Sequence, residues 1–159
     1  MGKNLVAEMK QQGVKKDIRF WTGTCYVHED YSLDEIHRIR LEYPQAKIVS
    51  HPECKPEVVK QSDFVGSTAQ MLHYMRETEA SQFLMLTECG LSTRLQVEFP
   101  KKQLVGSCRL CKYMKSNSLE DILRVLKNPT DRDRVVIDET VRQKALRCVE
   151  AMFRYTEKS

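Results

Sequence analysis

The chain has 159 residues and carries a net charge of +4, from 26 Lys and Arg against 22 Asp and Glu. With 41% apolar and 30% charged residues but only 6 Gly and 5 Pro, it is neither a disordered tail nor a collagen-like or low-complexity chain, and its length suits one domain or little more. No apolar run approaches the ~18 residues that span a bilayer, the start Met1-Gly2-Lys3-Asn4-Leu5-Val6 lacks a signal-peptide hydrophobic region, and basic residues alternate with acids as in Asp131-Arg132-Asp133-Arg134. A cytoplasmic protein with no membrane and no nucleic-acid partner is expected.

In chain order, β-rich runs alternate with amphipathic ones. Asp17 to Trp21 reads as a strand, followed by the loop Thr22-Gly23-Thr24-Cys25. Ser32 and Glu35 form a capping-box pattern, and Ile36, Ile39 and Tyr43 recur at helical spacing, which predicts a helix from Ser32 to about Tyr43. Lys47 to Ser50 is a short strand with the exit loop His51-Pro52-Glu53-Cys54, and Pro56 suits the first turn of a helix reaching about Gln61. Asp63 to Val65 is a brief strand, and Gly66-Ser67-Thr68 opens a helix to about Thr78 with Met71, Leu72 and Met75 inward. Gln82 to Leu86 is a strand that exits into Thr87-Glu88-Cys89-Gly90. A short helix near Leu91 to Gln96 and a strand Gln103 to Val105 come next, before Cys108 and Cys111. Ser118 caps a helix to about Lys127, and a last helix from about Asp138 to Tyr155 offers Leu146, Val149 and Phe153 as a face to bury.

Strands separated by helices predict an α/β fold, a three-layer αβα module with a short parallel sheet plus C-terminal helices. In such folds ligands bind beyond the carboxyl ends of the strands. Cys25 to His28, His51 to Glu53, Ser67-Thr68, Thr87-Glu88 and Cys108 to Cys111 all follow expected strands, so one shared site is expected.

Six cysteines, at 25, 54, 89, 108, 111 and 148, favour metal binding or redox chemistry over a disulfide framework in a reducing compartment. Cys148 is the exception, since its spacing with Val141, Ala145 and Met152 points to packing. Cys25-Tyr26-Val27-His28 brings a soft thiolate beside an imidazole, suited to an iron–sulfur cluster, zinc or copper, with the histidine as ligand, substrate donor or acid/base group. In His51-Pro52-Glu53, proline fixes the backbone between two groups able to transfer protons, bind an anion or approach a metal; helix entry is the other role open to Glu53. Ser67 and Thr68 form either an anion cradle or an ordinary helix cap. Cys108-Arg109-Leu110-Cys111 has the spacing of half a zinc ribbon or a redox dithiol, but no second pair completes a zinc site, which leaves a cluster ligand as the preferred reading.

Taken together, Trp21 to His28, His51 to Cys54, Asp63 to Thr68, Thr87-Glu88 and Cys111-Lys112-Tyr113-Met114 resemble quinolinate synthase in order and spacing, and Lys3-Asn4-Leu5 is similar to an upstream segment of that family. The resemblance implies an iron–sulfur transferase of NAD biosynthesis that condenses iminoaspartate with dihydroxyacetone phosphate to quinolinate. It implies a 4Fe–4S cluster held by three cysteines, with Cys25 as the second and Cys111 as the third, and Cys108 as a conceivable redox partner of Cys111. His28, His51, Glu53, Ser67 and Thr68 would bind substrate, with His51 and Glu53 catalytic. It also implies three α/β modules, of which residues 1–24 would end the second, 25–111 form an intact one, and 112–159 a helical segment. The first cluster cysteine has no counterpart here, so the chain alone is expected to be inactive or nearly so, and two readings stay open: a truncated gene product, or a separate chain as the partner that supplies the first half. The competing reading is a non-catalytic metal or redox module built on Cys108 and Cys111.

Overall fold

A computed structural model describes residues 1–156, which divide into two compact units at residues 115 and 116. In the first, the helices α1 (Gly2–Gln11), α2 (Tyr26–Glu29) and α3 (Leu33–Glu42) precede an alternating run. That run is strand β1 (Lys47–Ser50), helix α4 (Pro56–Lys60), β2 (Phe64–Val65), α5 (Thr68–Glu77), β3 (Gln82–Leu86), α6 (Cys89–Glu98) and β4 (Gln103–Leu104). The second unit carries α7 (Leu119–Lys127) and α8 (Glu139–Thr156).

All four strands are parallel, in the order β2-β1-β3-β4, with Ile48 opposite Leu84 and Ser50 opposite Leu86 at the centre. Side chains alternate across a strand, and here the alternation separates two cores. Ile48, Leu84 and Leu86 pack with Tyr31, Ile36, Ile39 and Val58 on one face, while Val49, Phe83 and Met85 pack with Met71, Met75 and Leu95 on the other. Because both faces are covered, β1 and β3 read as continuous apolar runs. The expected αβα layering is the one observed.

Local signals set the helix starts. The Ser67 hydroxyl accepts from the Gln70 amide while the Gln70 side chain accepts from the Ser67 amide, a full capping box. Pro56 occupies the first turn of α4. At α3 only half the expected box forms: Ser32 accepts from the Glu35 amide, but the Glu35 carboxylate is committed elsewhere, to Arg109 and Ser107.

Three expectations are corrected. Residues 17–21 form no strand; no sheet edge reaches them, and Trp21 is 88% exposed. Cys148 does not pack but is exposed. The apolar residues Leu146, Val149 and Phe153 of α8 are likewise exposed, so helical periodicity there does not translate into burial. The helix α1 had no forecast. It is tied down by Asn4, whose side-chain amide donates to the carbonyls of Pro52 and Cys54 at 2.9 and 2.8 Å.

Candidate functional site

The carboxyl ends of the parallel strands supply one cluster of polar groups. Beyond β1 the chain turns sharply: the His51 amide donates to Leu86 O at 3.3 Å and the Cys54 amide to His51 O at 2.9 Å. This turn presents His51 and Glu53. Cys25 stands at the N-cap position of α2, without a side-chain capping bond, and His28 lies three residues later, about one helical turn on. The Glu53 Oε2 atom sits 3.1 Å from His28 Nδ1 and 3.6 Å from His51 Nδ1, and the two imidazoles stack with centroids 4.5 Å apart. One ligand atom each from Cys25, His28 and Glu53 falls within 4.8 Å of the others. A groove of about 450 Å³ runs past Cys25 and Glu53, walled by Met1, Gly2, Trp21 and Thr24.

Burial lowers the pKa of both histidines, opposed by the Glu53 carboxylate; for His28 the neighbouring His51 lowers it further. Both rings are therefore neutral near pH 7, able to donate from one nitrogen and to accept with the other. The His28 Nε2 atom lies 3.3 Å from Thr87 Oγ1 at the end of β3, which orients the ring. Cys54 plays another part: burial pushes its thiol up to about 12, and it donates to Leu86 O, so it packs as a neutral thiol.

Cys111 is brought to the same end of the sheet by its own loop. The Lys112 amide donates to the Tyr26 hydroxyl at 2.6 Å and the Cys111 amide to Glu88 Oε1 at 3.4 Å, so this loop is sewn to the residue after Cys25 and to the exit of β3. The Met114 amide, followed by the Tyr26 hydroxyl and the Tyr113 amide, lowers the Cys111 pKa and favours its thiolate. Thiolates are what iron–sulfur clusters and zinc select. Ser67 and Thr68 follow β2, beside the Ser50 carbonyl that accepts from Gly66, with the Ser67 hydroxyl already engaged as a cap.

Cys108 does not partner Cys111. It is bonded to Cys89, because the parallel bridge between Glu88 and Arg109 sets residues 89 and 108 side by side with Cα atoms 5.1 Å apart. The redox module of Cys108 with Cys111 is thereby not favoured.

Sequence reasoning missed the residues that position this loop. The Arg109 guanidinium donates to Asp30, to Glu35 Oε2 at 2.9 Å and to Ser107 Oγ at 2.8 Å, and lies over the Tyr31 ring. The Tyr31 hydroxyl in turn donates to Thr87 O. The only available signal was that Arg109 falls between two cysteines, and a lone arginine in a loop does not announce a buried carboxylate partner. Gly106 lets the chain leave β4 toward this loop with φ +76°, where an added Cβ would meet Leu84 Cδ1 at 2.7 Å.

Comparison with known proteins gives the chain a family. The model of the family described as quinolinate synthetase A protein, NadA, matches residues 1–154. The chain is 36% identical over 151 residues to a quinolinate synthase of Alkaliphilus metalliredigens, covering 94% of this chain and 49% of that protein. It is 33% identical over 151 residues to one of Trichodesmium erythraeum, covering 91% and 46%, and 37% identical over 132 residues to one of Xylella fastidiosa, covering 83% and 38%. It thus spans about half the length of the curated relatives it matches. With ordered motifs, a parallel αβα core and a family match over nearly every residue, the chain belongs to the quinolinate synthetase A family.

Proposed function

We propose that this chain is the carboxyl-terminal half of a quinolinate synthase, which condenses iminoaspartate with dihydroxyacetone phosphate to quinolinate when the amino-terminal half is present. The convergence of Cys25, His28, His51 and Glu53 at one end of the sheet, with the Cys111 loop stitched beside them through Tyr26, carries this reading.

The donor chemistry fits a thiolate-bound group. Cys25 and Cys111 are free thiols and Cys111 is held toward its thiolate form, whereas Cys54 is buried and protonated and Cys89 and Cys108 are bonded to each other. Two thiolates fall short of the complement a 4Fe–4S cluster takes, so the remaining ligand belongs to the amino-terminal half. When bound, a cluster with one open iron supplies Lewis-acid activation of a carbonyl or hydroxyl oxygen. This chain's residues do the rest. Neutral His28 and His51 donate hydrogen bonds to substrate carboxylates or carbonyls, and the partly exposed Glu53 carboxylate accepts and returns the protons moved during condensation and loss of water. The first-turn amides of α5, with the Thr68 hydroxyl, offer a seat for an anionic substrate group, and Ser67 holds that helix start in shape.

The test is anaerobic reconstitution with iron and sulfide, followed by a quinolinate assay, with and without the amino-terminal half of a relative. Little or no product is expected from the chain alone. Complementation restores it, and Cys25→Ser or Glu53→Gln abolishes the restored activity. Ordinary rates from the isolated chain would remove the need for a partner. Complemented activity surviving Cys25→Ser would remove the assigned site.

A further inference from the structure

We infer that the stacked imidazoles of His28 and His51 are locked in opposite tautomers, His28 protonated on Nδ1 and His51 on Nε2, and that Thr87 is a positioning residue for this arrangement. The inference rests on the function proposed for the site and divides its labour. The two rings only donate, and Glu53 is the one side chain of the three left to take a proton.

The main chain decides His51. The Glu53 amide donates to His51 Nδ1 at 3.3 Å. A nitrogen that accepts from an amide has no room for a hydrogen of its own, so the neutral ring keeps its proton on Nε2.

Charge decides His28. Its Nδ1 faces Glu53 Oε2 at 3.1 Å, and no other hydrogen-bonding partner reaches that nitrogen. A bare lone pair held against a carboxylate oxygen at this distance is repulsive, whereas a proton on Nδ1 makes the contact attractive. The far side of the ring agrees independently. His28 Nε2 lies 3.3 Å from Thr87 Oγ1, and Thr87 is only 2% exposed. A hydroxyl sealed from water needs an acceptor for its hydrogen, and an unprotonated Nε2 is that acceptor. Thr87 is itself anchored, since its carbonyl accepts from the buried Tyr31 hydroxyl at 2.5 Å. Burial favours the neutral form of both rings, the form in which a tautomer is defined.

The consequence is a polarity of recognition. The rings stack with planes 16° apart, and both imidazole lone pairs are already engaged, one by Thr87 and one by the Glu53 amide. The pair therefore offers a ligand two N–H groups and no acceptor. It suits the carboxylate and carbonyl oxygens of an anionic substrate and rejects a hydrogen-bond donor at the same place.

The test is nitrogen-15 NMR of the full chain with its four histidines labelled, using two-bond nitrogen–proton correlations near pH 7. His28→Gln and His51→Gln assign the signals, and the exposed His37 and His73 serve as internal references. In the unsubstituted chain, His28 should show a protonated Nδ1 and His51 a protonated Nε2. Glu53→Gln presents a carboxamide that can face either tautomer, so the Nε2-protonated form of His28 should rise at least about fivefold, while His51 stays unchanged because the amide of residue 53 persists. Thr87→Val should shift the His28 Nε2 resonance toward that of a nitrogen without a donor. It should also lower quinolinate formation by the complemented enzyme about tenfold, and Thr87→Ser should restore both. Circular dichroism separates these effects from loss of fold, and the spectrum of the unsubstituted chain needs no variant to fold. Two rings in the same tautomer, His28 protonated on Nε2, or a Thr87→Val chain with unaltered Nε2 resonance and activity would each overturn the inference. Opposite tautomers in a chain that makes no quinolinate when complemented would instead sink the enzyme reading and leave the tautomers standing.

Discussion

The two compact units use similar amphipathic helices to opposite ends. In residues 1–115, α3 and α5 turn Ile36, Ile39, Met71 and Met75 onto a parallel sheet, and all four are buried. In the second unit, α7 carries Leu119, Ile122 and Leu126 at the same kind of spacing, with a serine cap as good as that of α3, yet Leu126 is 78% exposed. Periodicity declares which residues share a face. Whether that face is buried depends on a surface to receive it, and for α3 and α5 the sheet provides one.

The largest effect that sharpens this contrast is Leu84→Ala, which opens a cavity at the centre of the sheet and should cost about 3–4 kcal/mol in urea unfolding. Arg109→Ala comes next. It strands the buried Glu35 carboxylate and should cost about 2–3 kcal/mol, with Arg109→Lys recovering only part because the fork to Asp30, Glu35 and Ser107 is lost. Gly106→Ala should cost about 2 kcal/mol, from the left-handed backbone and the approach to Leu84, read from the same denaturation curves.

A smaller effect is the pH dependence of stability in chelator-treated protein. His28 and His51 hold fewer protons folded than unfolded, so their contribution is fully present above the ordinary imidazole value of 6.5 and is lost as pH falls from there through their lowered folded values. His28→Gln with His51→Gln should flatten that limb of the profile. Smallest of all, Leu126→Ala should stay within about 0.5 kcal/mol; a loss comparable with Leu84→Ala would break the contrast between the units.

Much of the site was legible because its residues sit in short contiguous runs at strand exits. Cys25 to His28 and His51 to Glu53 each contain their own chemistry, and the rule that ligands gather at the carboxyl ends of parallel strands was enough to group them. Cys108 was misread because its partner lies 19 residues away in sequence and adjacent only through the bridge between Glu88 and Arg109. The strand expected at residues 17–21 was misread for a related reason: β-branched and aromatic residues make a strand only where an edge accepts their hydrogen bonds.

The amino-acid sequence by itself determined the alternation of strands and helices, the helix starts at Ser32, Pro56, Ser67 and Ser118, and the residue types available for chemistry, because these depend on neighbours within a few positions. Only the tertiary structure decided that His28 Nδ1 faces Glu53, that Arg109 locks the Cys111 loop through Glu35, and that Cys108 is spoken for by Cys89. Those are pairings across 19 to 74 residues, and they come from how parallel strands bring distant loops to one edge of the sheet, which no local spacing encodes.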